Sequence, residues 1–301
     1  MSVTLTRDVR TAASQAPRKA GSLLVTPAVL VLLAWMIIPL VMTLWFSFQY
    51  YNLINPETAG FAGVDNYQFL VTDPDFWVSL RNTMVLLGSV LVITVGFGTL
   101  LAVLFDQPFP GRNIARVLAI SPFFVMPTVS ALVWKNLLMN PVSGLFAYIA
   151  RLFGFQAVDW FSQIPLTSVI IIVAWEWLPF AFLILFTSLQ SLDEEQLEAA
   201  YLDGAGAWSV FWSIQVPHMG RSLSVVVMME TIFLLGTFAE IYVTTSGGPG
   251  IATTNLAFLI YQRALLAFNV GGASAAGVIA IILANILAVF LVRTMARRLD
   301  V

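Results

Sequence analysis

The stretch LTSVIIIVAWEWLPFAFLILFTSL, residues 166–189, decides the fold of this chain. Its residues are apolar apart from a few hydroxyl groups and one ionisable side chain, Glu176. A helix of about 20 apolar residues is long enough to cross the hydrocarbon core of a bilayer. The whole chain has the same character, since 59% of its 301 residues are hydrophobic and 10% are charged. This composition excludes a soluble globular domain and predicts a membrane protein.

Five further apolar stretches are about as long as a membrane span. With the first they predict six transmembrane helices, over residues 23–48, 84–105, 117–134, 166–189, 223–243 and 273–292. The predicted fold class is therefore all-α, a polytopic helical bundle in a membrane. Pro122 and Pro127 interrupt the third stretch. We expect them to kink a spanning helix and not to end it, because neighbouring helices can satisfy the freed carbonyls.

The basic residues predict the orientation of this bundle. Ten lie on the side of the termini, namely Arg7, Arg10, Arg18, Lys19, Arg112, Arg116, Arg221, Arg293, Arg297 and Arg298, and four on the other side, namely Arg81, Lys135, Arg151 and Arg263. This bias predicts that both termini are cytoplasmic, with residues 1–21 as a tail and 22–301 as the membrane domain. The first apolar stretch is too long for a signal peptide, so we expect it to be retained. A net charge of −2 gives no indication of nucleic-acid binding.

Two outer connections contain apolar segments of their own. Leu145, Ile149 and Leu152 recur at helical spacing, which predicts a helix lying on the membrane surface. Residues 256–266 form an apolar stretch inside the last connection. That stretch could dip toward a pore or pack over the mouth of the bundle, and the sequence leaves both interpretations open.

The loop at residues 191–217 has the pattern of two short helices joined at a glycine, and we call residues 193–217 the knob. Ser191-Leu-Asp-Glu194 matches a capping box, so a helix is predicted to begin near Asp193. Gly204 is the predicted stop, because glycine adopts the left-handed conformation without a Cβ clash. A second helix should follow, with Pro217 at its end and a stripe formed by Trp208, Phe211 and Trp212. The knob could present its surface to a partner or pack against its own bundle.

Several kinds of chemistry are excluded by residues that the sequence lacks. The chain has no Cys, so disulfides and thiolate chemistry are ruled out. Lys19 and Lys135 are the only lysines and neither lies in a phosphate-binding P-loop, so any ATP must be bound by another subunit. His218 is the only histidine, and we expect a helix-end contact from it and neither a base nor a metal site.

Three acidic residues fall inside predicted spans. Glu176, Glu230 and Glu240 each need a reason, because a carboxylate at the bilayer centre costs about 2.5–3.5 kcal/mol on insertion scales. Glu240 lies near the outer end of its span, and we expect it to reach the headgroups. Glu176 and Glu230 have aromatic neighbours, a combination that suits a hydroxyl-rich solute. An ion pair or a packing contact with a partner subunit explains them nearly as well.

The knob resembles a known sequence element. Glu198-Ala-Ala-x-x-Asp203-Gly204-Ala205, followed by Val216-Pro217, is similar to the "EAA" loop of ABC-importer permeases. The resemblance implies a MetI-like, type I importer transmembrane domain whose loop couples to an ATPase. The implied coupling residues are Glu198, Ala199, Ala200, Asp203, Gly204, Ala205 and Pro217.

Further segments resemble the MalF-type permeases of sugar importers. Phe61-x-Gly63-x-x-Asn66-Tyr67 is similar to their first outer loop, and Gly247-Gly248-Pro249 to their last. Residues 121–136 look like the sorbitol/mannitol branch. The implied substrate-binding residues are Glu176, Phe180, Glu230, Phe233, Thr237 and Met126, with Ser130 and Asn285 as weaker candidates.

This resemblance also implies a set of partners and a location. The expected partners are a second homologous permease, an ATPase dimer that binds ATP and Mg, a soluble or lipid-anchored binding protein, a sugar or polyol, and the lipid bilayer. The chain itself would hold no cofactor or metal, would not be an enzyme, and would lie in a bacterial inner membrane. A secondary transporter or channel for a small polar solute is the alternative, while a membrane-embedded enzyme would need more catalytic side chains than the spans offer.

Overall fold

The structure, a computed structural model, describes residues 18–299, with side chains from residue 25 to residue 294. Residues 1–17 of the predicted tail lie outside this range. The helices are α1 Arg18–Ser47, α2 Asp65–Thr72, α3 Pro74–Asp106, α4 Arg112–Ile120, α5 Pro127–Val133, α6 Leu145–Leu152, α7 Trp160–Gln163, α8 Pro165–Leu189, α9 Glu194–Leu202, α10 Ala207–Val210, α11 Val216–His218, α12 Gly220–Leu234, α13 Ala239–Thr244, α14 Leu256–Tyr261 and α15 Val270–Leu299.

Shorter elements complete the described chain. The strands β1 Gln49–Tyr50 and β2 Gly60–Phe61 pair antiparallel. Two 3-10 turns lie at Pro56–Thr58 and Ser121–Phe124, and three π-helical turns at Trp134–Leu138, Phe211–Gln215 and Gln262–Leu266.

Four helices are long and apolar enough to cross a membrane, and they confirm four of the predicted spans. They are the apolar parts of α1, α3, α8 and α15, over Val25–Ser47, Pro74–Asp106, Pro165–Leu189 and Val270–Thr294. The helix α3 begins well before the predicted residue 84, because Asp73 caps its N-terminus and Pro74 occupies its first turn.

The third predicted span is broken, so the prediction that its prolines only kink a helix was wrong. Residues Arg112–Phe124 and Pro127–Leu138 meet at an angle of 106°. Met126 is extended, with φ −62° and ψ 136°, as expected for a residue that precedes proline. This pair is one broken span or a re-entrant loop, which makes five candidate spans in the described chain.

The predicted span at 223–243 is also divided. The helix α12 has 15 residues, and the six-residue α13 follows after an irregular turn at residues 235–238. Neither helix alone has the length of a span. The prediction of six crossings is consistent with this arrangement if α12 and α13 together form one crossing.

The bundle is centred on α3 and α8. A Cβ on Gly98 would lie 2.9 Å from the Cβ of Ala181 and 3.1 Å from the nitrogen of Phe182, so only glycine permits this approach. Small residues at such crossings allow close van der Waals packing between membrane helices. The buried side chains of Val90, Val173 and Leu234 extend this core to α12.

The outer connections are ordered by hydrogen bonds and apolar contacts. Helix α6 matches the predicted amphipathic segment, and its Leu145, Ile149 and Leu152 are exposed as a membrane-surface helix requires. Leu256 and Phe258 of α14 are buried, which favours packing over the end of the bundle and not a dip toward a pore.

Candidate functional site

The first arm of the knob begins where the sequence predicts. The side chain of Asp193 accepts a hydrogen bond from the backbone nitrogen of Glu195 at 3.1 Å, and α9 starts at Glu194. Ser191 does not cap this helix, because its hydroxyl donates to the carbonyl of Ser188 at 2.6 Å. The predicted helix start is confirmed, with Asp193 and not Ser191 as the capping residue.

The bend of the knob is built on Gly204. This residue has φ +84°, in the left-handed region that favours glycine. The backbone nitrogen of Ala205 bonds the carbonyl of Ala200 at 2.9 Å, and that of Gly204 bonds Tyr201 at 3.1 Å. These two bonds form a Schellman motif, and they confirm the predicted helix stop.

The second arm ends at His218, one residue after the predicted Pro217, and α12 begins at Gly220. Proline lacks a backbone N–H and clashes with the carbonyl four residues earlier in a regular helix. The wider π-helical turn at Phe211–Gln215 ends two residues before Pro217. It replaces the regular α-helical hydrogen bonds in the turn that the proline would disturb.

One side of the knob is anchored and the other is free. Leu192 and Met219, which flank the knob, are buried in a cluster with Phe105 of α3 and Leu185 of α8, and Leu197 and Ile214 of the knob pack against this cluster. At the tip, Leu202 is 89% exposed and Trp208 is 74% exposed. Of the predicted coupling residues, Ala200 and Ala205 are half-buried, and the exposed ones are Glu198, Ala199, Asp203, Gly204 and Pro217. The knob therefore packs on its own bundle at the base and offers an apolar surface at the tip.

His218 occupies the junction of the knob with α8. Its Nε2 lies 3.0 Å from the carbonyl of Ser188 and 3.1 Å from the hydroxyl of Ser191. This is the helix-end contact that the sequence predicts. Within the described residues, no group of three or more His, Cys, Asp or Glu side chains could hold a metal ion.

Glu230 is enclosed in the bundle, and its partner is a residue that sequence reasoning missed. Its Oε2 accepts a hydrogen bond from the hydroxyl of Thr94 at 2.6 Å, whereas Oε1 has no partner in the described part of the chain. Thr94 lies in the middle of α3, on the face that contacts α12. The sequence does show a hydroxyl residue at about the same depth in its span as Glu230. Which hydroxyl bonds the carboxyl group can be seen only once the helices are packed.

Glu176 and Glu240 come together, with Ser130 beside them. Both residues are 6% exposed, and the carboxyl group of Glu176 lies within interaction range of Glu240 and of the Ser130 hydroxyl. The prediction that Glu240 reaches the headgroups was therefore wrong. The irregular turn at residues 235–238 lets α13 lie against α5 and α8, so Glu240 points inward. Neither Ser130 Oγ nor Glu176 Oε1 has a hydrogen-bond partner in the described part of the chain.

Four aromatic rings lie next to one another beside the break between α4 and α5. We call Phe123, Trp177, Phe180 and Phe233 the aromatic platform. Ring centroids are 6.0 Å apart for Phe123 and Phe180, 5.8 Å for Trp177 and Phe180, and 5.3 Å for Trp177 and Phe233. Phe123 and Phe233 are exposed, so the platform is open on one side.

The predicted substrate-binding residues are thus not gathered in one site. Phe180 and Phe233 meet in the aromatic platform, and Met126, exposed, follows Phe123 closely along the chain. Glu176 and Glu230 are both buried, but they contact different side chains. Thr237 is also buried, and its carbonyl accepts from Asn255 Nδ2 at 2.6 Å. Asn285, a weaker candidate, is exposed and donates to its own helix at Ile281.

Comparisons with known proteins give consistent results. Residues 94–301 match the family described as binding-protein-dependent transport system inner membrane component. A probable ABC transporter permease protein, y4oQ, of Sinorhizobium fredii is 33% identical over 83% of this chain and 81% of its own length. The trehalose/maltose transport system permease protein MalF of Thermococcus litoralis is 32% identical over 81% of this chain and 83% of its own length.

The fold has a counterpart among solved structures. A chain of a bacterial alginate ABC transporter, crystallised in complex with an alginate pentasaccharide-bound periplasmic protein, superposes with a TM-score of 0.80. The match covers 93% of this chain and 95% of that chain, at 20% sequence identity. At this identity the likeness concerns the fold alone.

Proposed function

Because this chain belongs to the family of binding-protein-dependent transport system inner membrane components, we propose that it is a permease subunit of an ABC importer for a sugar or polyol. The knob is the observation that carries this proposal. A capped helix, a left-handed glycine and an exposed apolar tip form a compact surface between two membrane segments. Exposed apolar patches bordered by charges are typical of protein interfaces.

The proposed division of labour leaves ATP chemistry to other subunits. A separate ATPase dimer binds ATP and Mg, a second homologous permease completes the translocation path, and a binding protein delivers the solute at the outer loops. When the ATPase dimer closes, it moves the knob. The buried contacts of Leu192 and Met219 with the ends of α3 and α8 then transmit this displacement to the spans.

The substrate class rests on two kinds of support. The name of the MalF relative states trehalose and maltose, which are polyhydroxylated solutes. The aromatic platform suits such solutes, because aromatic faces stack on the C–H surfaces of sugars while nearby carboxyl groups accept hydrogen bonds from their hydroxyl groups. A sorbitol- or mannitol-type polyol is the finer proposal, and it rests on the resemblance of residues 121–136.

Co-purification tests the assignment to an ABC importer. The tagged chain, extracted from its native membrane, should bring down an ATPase subunit and support ATP-dependent uptake of labelled maltose, trehalose or sorbitol in proteoliposomes. Leu202→Asp, at the tip of the knob, should weaken ATPase capture at least about tenfold, since it places a charge in an apolar contact. Ile54→Asp, on an exposed site of the outer connection, is the matched control and should not. Ion-driven uptake without any ATPase would instead identify a secondary transporter or channel.

A further inference from the structure

The basic and acidic side chains of the described helices lie at different depths in the bundle. The basic ones lie toward the ends of the spans or in the connections, whereas Glu176, Glu230 and Glu240 lie buried inside the bundle. All four basic residues on the predicted outer side lie in helical segments, and three of them are engaged. Lys135 Nζ donates to the carbonyl of Val243 at 2.9 Å, Arg151 donates to the carbonyl of Val142 at 2.9 Å, and Arg263 forms an ion pair with Asp73. Arg81 is exposed near the start of α3.

The cluster of Ser130, Glu176 and Glu240 has unused hydrogen-bonding capacity. Ser130 is 1% exposed and Glu176 is 6% exposed, yet Ser130 Oγ and Glu176 Oε1 lack partners among the described residues. No described basic side chain forms an ion pair with either carboxyl group. Buried polar atoms are nearly always paired, so these two unpartnered oxygens indicate capacity for a further hydrogen-bonding group.

This cluster adjoins the aromatic platform. Glu176 directly precedes Trp177 and lies one helical turn before Phe180, and both rings belong to the platform. A solute on the platform would therefore meet the field of the carboxyl groups on its way through the bundle. The acidic cluster next to the platform therefore determines which solute charge is favoured there.

An anionic solute beside this cluster would have no positively charged group to pair with. If the carboxyl groups are ionised, they repel it; if they are protonated, they offer hydrogen bonds but no positive charge. Anionic sugars are bound in proteins by arginine, lysine or helix N-termini, because desolvating an unpaired charge is costly. A neutral solute brings O–H donors, which the unpaired oxygens can accept.

Building on the proposed function, we propose that the translocated solute is uncharged and that Ser130, Glu176 and Glu240 exclude anionic sugars. The three residues act as a specificity filter beside the aromatic platform. Selection against charge within the membrane path is separate from any selection made by the binding protein.

Equilibrium binding to the assembled transporter without its binding protein tests this inference. Two matched pairs serve as probes, sorbitol with gluconate and trehalose with trehalose 6-phosphate, because each pair differs mainly in charge. We expect the neutral member to bind at least about tenfold more tightly, since an uncompensated buried charge is disfavoured by several kcal/mol. Equal occupancy by both members, including none by either, would overturn the inference.

A pair of variants links the selectivity to these residues. Combining Glu176→Gln with Glu240→Gln keeps the shape and replaces both acidic groups by neutral amides that can donate hydrogen bonds to an anion, so the ratio of neutral to anionic binding should fall at least about fivefold. Glu57→Gln, at an exposed carboxyl group of the first predicted outer connection, is the control and should leave the ratio unchanged. An unchanged ratio in the double variant contradicts the filter. ATP-driven uptake of gluconate by the intact complex would overturn the inference while leaving the proposed function in place.

Discussion

Gly204 gives the knob its bend through its backbone and not through tight packing. Its φ is +84°, and a Cβ added there would meet no atom within 4 Å. Gly204→Val therefore acts through strain, since the left-handed conformation costs non-glycine residues about 1–2 kcal/mol. We expect ATP-driven uptake to fall about 5- to 30-fold with normal amounts of protein in the membrane.

Two controls separate backbone strain from added bulk at this bend. Gly204→Asn should retain most uptake, because asparagine tolerates the left-handed conformation. Gly206→Ala adds a side chain to the same loop at φ −74° and in open space, and should also be tolerated. If all three variants transport alike, the bend does not govern coupling.

The bond between Thr94 and Glu230 makes a second prediction for single residues. Thr94→Val preserves the shape but leaves the carboxyl group of Glu230 without its 2.6 Å hydrogen bond. The free energy of unfolding should fall by about 1–3 kcal/mol, the usual loss when a buried polar group is left unpaired. Thermal denaturation of the purified protein in detergent measures this, and Thr94→Ser, which keeps the hydroxyl, should remain close to the original chain.

These residues show what a sequence can tell about individual side chains. Helix capping and glycine geometry are local, so the start of α9 and the stop at Gly204 were predictable from a few neighbours. The partners of buried carboxylates are set by tertiary packing. Glu240 was therefore assigned to the headgroups although it faces Glu176, and Thr94 was missed.

At the scale of elements, Asn82 makes the largest set of hydrogen bonds between α3 and the last outer connection, beside a bond from the nitrogen of Leu256 to Thr83 Oγ1 at 2.9 Å. Asn82 Nδ2 donates to the carbonyls of Ile251, Ala252 and Thr254 at 3.0 to 3.2 Å. Asn82→Asp keeps the size but removes both donors and places carboxylate oxygens against these carbonyls. Amide hydrogen exchange across residues 245–256 should then become faster, with little change in the hairpin of β1 and β2.

A second asparagine provides the control for this change. Asn285 Nδ2 donates to the carbonyl of Ile281 within its own helix and at an exposed site. Asn285→Asp should leave exchange in the last outer connection unaltered. If Asn82→Asp also leaves it unaltered, Asn82 does not hold this connection in place.

The breaks in the spans mark the limit of prediction for elements. Hydropathy identified the right stretches of chain, because burial in lipid demands apolar length whatever the local geometry. Hydropathy did not distinguish a kink at Pro127 from a 106° turn, because a kinked helix and a sharply bent pair of helices can have the same apolar composition. The end of the second arm of the knob was predicted to within one residue, because Pro217 marks it in the sequence.

At the scale of the whole molecule, the number of crossings depends on these breaks. Four helices span by themselves, and the pair formed by α4 and α5 is either one crossing or a re-entrant loop. A crossing puts residues 107–111 and 139–164 on opposite sides of the membrane, whereas a re-entrant loop puts them on the same side.

The absence of cysteine from the chain makes this arrangement directly measurable. Gln107→Cys, Gln156→Cys and Gln196→Cys each place one thiol at an exposed position in a different connection. With six crossings and cytoplasmic termini, a membrane-impermeant maleimide added to intact cells should label only Gln156→Cys, because charged reagents do not cross the bilayer. The other two variants should react once the membrane is permeabilised. Labelling of Gln107→Cys and Gln156→Cys from the same side would show that α4 and α5 form a re-entrant loop, and labelling of Gln196→Cys from outside would place the knob where no ATPase could reach it.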